Sequence, residues 1–158
     1  MKNQIIHKTA VIKRLEFISM GDNIAIDPFF YMTTRGVFGN CIHIGSHVSV
    51  IGGIEATLTV GDYVAISTGC RLICRSDDFT KMGIAIPFIK GIQRNLYGSF
   101  IEIKNKAILG ANVVILPDVI VSEGTVIGAN SLVLSNSILD EYCIYAGTPA
   151  KKIGVRHD

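Results

Sequence analysis

The stretch ILGANVVILPDVIVSEGTVIGANSLVL, residues 108–134, is aliphatic throughout yet broken by turn-forming residues at short, even intervals. Marking Ile103, Leu109, Ile115, Val121, Ile127, Val133, Leu139 and Tyr145 puts an apolar side chain at every sixth position. A helix repeats at about 3.6 residues and a half-buried strand at about 2, so neither produces this period. A fixed longer period marks stacked repeats, each too small to bury its apolar face alone. Six residues make one side of a parallel β-helix, a short strand followed by a corner.

The other positions of each hexad agree. The fourth residue after each anchor is small or β-branched, namely Ala107, Val113, Val119, Thr125, Ser131, Ser137 and Cys143, which reads as an inward slot near a corner. Just before these slots stand Lys106, Asn112, Asp118, Gly124, Asn130, Asn136 and Tyr142. Most are types that tolerate left-handed backbone or bond to their own backbone in turns, so the chain is expected to bend there. A second aliphatic row, Ile108, Val114, Ile120, Val126, Leu132, Ile138 and Ile144, falls between inward positions, and strand alternation sends it outward. Three oily flanks are more apolar surface than a soluble monomer usually exposes. The simplest cover is another copy of the chain.

Two earlier frames precede this one. Met20, Ile26, Met32, Phe38, Ile44 and Val50 form the first, clearest in MGDNIAI (20–26) and IGSHVSV (44–50). Val60, Ile66 and Leu72 form the second, beginning in VGDYVAI (60–66). Between Leu72 and Ile103 the frame is lost, and residues 76–100, SDDFTKMGIAIPFIKGIQRNLYGSF, carry no hexad pattern. That segment must leave the column as a long loop, and loops of this length in compact domains are usually functional. Its Phe79, Ile84, Ile86, Phe88 and Ile89 predict that it packs on something.

With 158 residues and 49% hydrophobic content, the chain fits one domain, 1–158, with the loop at 76–100 and a tail at 146–158. A net charge of +2 without any basic run gives no case for nucleic acid or an anionic membrane surface. MKNQIIHKTAVIKRLEF (1–17) lacks the long apolar core of a signal peptide or membrane span, which predicts a cytoplasmic protein without a transmembrane segment. Cys41, Cys70, Cys74 and Cys143 form neither a Cys-x-x-Cys pair nor a zinc pattern with histidines, so no metal is expected. Cys70 and Cys143 fall on inward slots, where a thiol behaves as a small hydrophobe.

The hexads from Ile103 to Tyr145, the ending YAGTPAKKIG (145–154), and the loop thrown out after CRSDD (74–78) before IEIKNKAILGANVVI (101–115) together resemble the hexapeptide-repeat acyltransferases. The resemblance spans nearly the whole chain and is nearest to the sugar O- and N-acetyltransferases of polysaccharide, lipopolysaccharide or nucleotide-linked sugar biosynthesis. It implies an all-β, left-handed parallel β-helix. The handedness comes from the resemblance alone, since parallel crossovers generally take the other hand. It also implies a homotrimer with clefts between neighbouring prisms, acetyl-CoA as co-substrate, and a sugar hydroxyl or amine as acceptor.

Many such enzymes carry a histidine at the start of the loop to deprotonate the acceptor hydroxyl. Here that place reads Ser76, Asp77, Asp78. Asp77 matches best and Asp78 is the neighbour. A free aspartate at about 3.9 is a poorer base near neutral pH than a histidine at about 6.5, but an adjacent carboxylate can raise one of a pair. Alternatively a neutral amino sugar attacks with little help and Asp77 orients it. His47, at a corner like those of Asn112 and Asn130, is a further candidate base, reaching a neighbouring prism's cleft. The resemblance places the pantetheine arm along Ala111 and Ala129 and the coenzyme phosphates near Lys151 and Lys152. Arg94, Asn95 and Tyr97 are the loop's polar groups for a sugar or its nucleotide. The asparagine that galactoside-binding relatives tend to carry near Ile51-Gly52 is missing. Two other readings are a noncatalytic β-helix scaffold and a γ-type carbonic anhydrase, which needs three zinc histidines.

Overall fold

The corners set the shape. In the computed structural model, which describes residues 3–83, 85–86, 91 and 94–157, all seven expected bending positions have positive φ, from 51° at Tyr142 to 66° at Gly124. Asn23, Cys41, His47 and Tyr63 do the same in earlier coils. Left-handed backbone costs a non-glycine residue roughly 1–2 kcal/mol. Hydrogen bonds between coils offset it: the Asn112 amide donates to the Thr68 carbonyl and the Asn130 amide to the Ala111 carbonyl, each at 2.9 Å.

Short strands between these corners stack into three faces, one sheet of eight strands and two of six. Ile24–Ile26, Ile42–Ile44 and Ile108–Leu109 belong to the first face, Tyr31–Met32, Arg71–Ile73 and Val114–Ile115 to the second, and Arg35–Phe38, Thr57–Val60 and Phe100–Ile103 to the third. Pairing between coils is parallel and keeps like positions in register, as where Leu109 lies between Ile66 and Ile127. At the far end, Lys151–Val155 turns back antiparallel on Cys143–Ala146 and closes the edge of the first face. Among the described residues no helix is long and apolar enough to cross a membrane.

Every anchor of the three frames is buried, from Ile103 at 0% exposure to Tyr145 at 9%. The inward slots are buried too, except Ser137, which is half-buried and donates to the Leu134 carbonyl at 2.7 Å. Burial pushes the Cys74 thiol up to about 12, so it serves the core as an uncharged hydrophobe. The outward row is half-buried, with Ile138 71% exposed. One chain alone therefore leaves aliphatic side chains uncovered.

Asn112 and Asn130, neighbours across one coil, are 18 residues apart, whereas Asp62 and Asn105, equally neighbours, are 43 apart. The excess is the loop, which leaves the column at the corner between the second and third faces. Its root is an antiparallel ribbon, Ser76–Asp77 against Leu96–Tyr97. Phe79 and Ile86 are 79% and 59% exposed, so the packing predicted for them is not met. Ile84, Phe88 and Ile89 lie outside the described residues.

The chain rejoins the column at Gly98, whose φ is +86°. A Cβ there would sit 2.2 Å from the Pro117 Cβ and 2.9 Å from the Cys74 carbonyl oxygen. Gly98→Ala is expected to destabilise the protein by about 1–3 kcal/mol through strained backbone and this clash. Urea denaturation measures it, and an unchanged midpoint would show that the loop re-enters by another path.

Candidate active site

Among the described residues, the ribbon root builds the site. Where Ser76–Asp77 leaves the second face it forms one side of a groove of about 530 Å³, and Arg94 and Leu96 on the returning strand form another. The floor comes from earlier coils, Thr33, Ile51, Gly52 and Gly53. The Thr33 hydroxyl accepts the amide hydrogens of both glycines at 3.3 Å, which fixes that turn. Neither Ile51 nor Gly52 brings a polar side chain to this floor.

Within the groove, the Arg94 guanidinium holds Asp77 through two bonds, Nε to Oδ1 at 2.8 Å and Nη2 to Oδ2. The fork matches the carboxylate's two oxygens, a geometry lysine cannot supply. Hydrogen bonding to Arg94 holds the Asp77 carboxyl below the usual aspartate range. The raised value anticipated from the adjacent carboxylate is thus reversed. Asp78 is shifted down as well, because the Thr80 hydroxyl and amide donate to its Oδ1 at 2.6 and 3.1 Å and Lys81 lies 3.4 Å from its Oδ2. Asp78 caps a turn, so the two aspartates have separate partners and neither destabilises the other's charge.

The remaining candidates fall in different places. Arg94, expected to meet a sugar, is committed to Asp77. Asn95 accepts the Asp78 amide on its carbonyl at 2.7 Å and faces a smaller hollow within the loop. Tyr97 pairs with Ser76 in the ribbon. His47 stands at the corner between the first and second faces, its ring stacked on Phe29 at 4.8 Å, away from its own chain's groove. Ala111 and Ala129 occupy that same corner higher in the column, half-buried and exposed respectively. The Ala129 amide would lie 2.6 Å from any Cβ on Gly110, so the corner is closely packed and its backbone lies near the surface. Lys151 is exposed, while Lys152 pairs with Asp140 at 3.1 Å. Among the described residues no three His, Cys, Asp or Glu side chains gather into a possible metal site.

Arg75 was missed by the sequence reading. It lines the groove, yet as the second residue of CRSDD it reads only as a counter-charge to the two aspartates.

The dTDP-4-amino-4,6-dideoxy-D-glucose acyltransferase of Escherichia coli is 30% identical over 142 residues, covering 88% of this chain and 72% of that protein. This chain belongs to the hexapeptide-repeat sugar acyltransferases. On that membership it is an enzyme that takes an acyl group from coenzyme A to a sugar. Galactoside O-acetyltransferase of Escherichia coli K12 is 26% identical over 157 residues, 96% of this chain and 70% of that protein. Among solved structures, the Bacillus cereus N-acyltransferase AntD, crystallised as an aspartate-to-asparagine mutant with dTDP and coenzyme A, aligns at a TM-score of 0.91. It is 31% identical and covers 99% of this chain and 83% of that one. Other AntD crystals hold 3-hydroxybutyryl-CoA or dTDP-4-amino-4,6-dideoxyglucose. The coil of this sugar acyltransferase is left-handed, as the resemblance implied. No protein-family model matches the chain.

Proposed function

We propose that this enzyme acylates the amino group of a nucleotide-linked amino sugar, using an acyl-CoA donor. The observation that carries the reading is the Arg94 clamp on Asp77. A carboxylate held ionised is too weak a base to take the proton of a sugar hydroxyl, the task a histidine performs in O-acetylating relatives. An unprotonated amine needs no such help to attack a thioester. Its nitrogen becomes acidic as the N–C bond forms, and the Asp77 carboxylate is then strong enough to receive the proton. The thioester supplies the electrophilic carbonyl, and its C–S bond breaks to expel coenzyme A thiolate, which takes up a proton from water, while Asp77 returns its proton to solvent. The similarity to AntD and to the Escherichia coli dideoxyglucose enzyme supports the same acceptor class.

Ala111 and Ala129 lie at one edge of the second face and Asp77 at the other. The donor corner and the acceptor groove of one chain are therefore on opposite edges, an arrangement that neighbouring copies in a homotrimer would complete. The uncovered aliphatic row supports that assembly. A cytoplasmic enzyme fits a donor and an acceptor of this kind.

The reading is tested by supplying acetyl-CoA with dTDP-4-amino-4,6-dideoxyglucose, with its hydroxyl counterpart and with free galactosides, and following thiol release. The amino sugar nucleotide is expected to turn over at least about 100-fold faster than the hydroxyl compounds, the scale that general-base assistance commonly contributes. Equal or greater turnover of a hydroxyl acceptor would overturn the assignment.

A further inference from the structure

Two guanidinium groups line the acceptor groove, and only one is satisfied. Arg94 is consumed by Asp77. The half-buried Arg75 side chain makes no hydrogen bond or ion pair among the described residues, and its Nε is buried without a partner. Taking a charged donor out of water and leaving it unmet is costly, so such a group in a folded protein calls for an explanation.

The surroundings say what is missing. Gly52 lies directly beside Arg75, and a Cβ there would come within 3.0 Å of the Arg75 amide nitrogen and 2.7 Å of the Ala56 Cβ. Gly53 follows at φ +73° with open space around it. Gly52 is thus packed tightly against the Arg75 main chain, and the open space in this part of the groove lies at Gly53. Ile51 and Leu96, both partly exposed, supply an apolar wall. The acid in the groove, Asp77, already has its cation. A guanidinium with an unmet donor, in a groove with open space at Gly53, suits an anion with several oxygens, which is how arginine recognises phosphate.

We infer that Arg75 binds the diphosphate of the acceptor, so that the enzyme selects nucleotide-linked amino sugars over free ones. The inference rests on the acceptor class proposed above. Coenzyme A also carries a diphosphate, and the two sources are separated by titrating each. In calorimetric titrations of the full-length protein, Arg75→Gln is expected to weaken dTDP binding about 10- to 100-fold, the range for a hydrogen-bonded charged group, and to leave coenzyme A binding unchanged. Arg75→Lys keeps the charge but not the fork and is expected to recover only part of the loss. It also serves as the reporter if the glutamine variant fails to fold by circular dichroism. Unchanged dTDP affinity in both variants, or a loss confined to coenzyme A, would overturn the assignment. Wild-type protein that binds coenzyme A but not dTDP would instead overturn the nucleotide-linked acceptor itself.

Discussion

Asp77→Asn is expected to lower kcat about 10²- to 10⁴-fold, the range for loss of a positioned proton acceptor, while the melting temperature stays close to that of the unaltered protein. The second half follows from the setting. The Asp77–Arg94 pair sits on a partly exposed ribbon outside the column, where ion pairs contribute little to stability. The pH dependence separates this role from that of a titrating base. Arg94 depresses the folded-state pKa of Asp77, so the pair's stabilisation is fully present above the unfolded carboxylate value of about 3.9. It is lost as pH falls through the lower folded value. Above about pH 5 the carboxylate is therefore ionised throughout, and kcat/KM should rise only as the acceptor amine loses its proton. Asp77→Asn should keep that rise and lower its plateau. A variant with an undiminished plateau would remove Asp77 from the chemistry.

Leu109→Ala is expected to cost about 2–5 kcal/mol, read as a lower urea midpoint. Leu109 is fully buried and stacked between Ile66 and Ile127, so truncation empties the middle of the first face. Parallel strands on either side are held in register by their hydrogen bonds, and the column has little freedom to collapse onto the space. In a stacked architecture each coil is stabilised chiefly by its neighbours, which makes a central coil more sensitive than a terminal one. An unchanged midpoint would mean that the hexad anchors do not form the core.

The column was legible because its geometry recurs. Each anchor meets the same environment a coil later, so Ile103 and Val133 state the same fact, and Asn112 and Asn130 report the same left-handed corner. Tyr142 and Lys106 also take positive φ although neither is a usual turn former, which periodicity revealed and residue type did not. The site was less legible because it lies where the period stops. Asp77 and Arg94 are 17 residues apart, and only the antiparallel ribbon brings them together. Nothing in the sequence indicates that Arg94, rather than the much nearer Arg75, neutralises Asp77. Choosing the wrong arginine hides both the depressed carboxyl and the unsatisfied guanidinium.

The ladder that joins Asp62 to Asn105 closes over the excursion as though it were absent. Because the entropy of closing such a segment grows only slowly with its length, the span between Cys74 and Gly98 is nearly uncoupled from the stability of the rest. Lineages built on this plan are free to lengthen, shorten or rewrite that one span while inheriting the scaffold intact, and new acceptor preferences can arise there without a new fold.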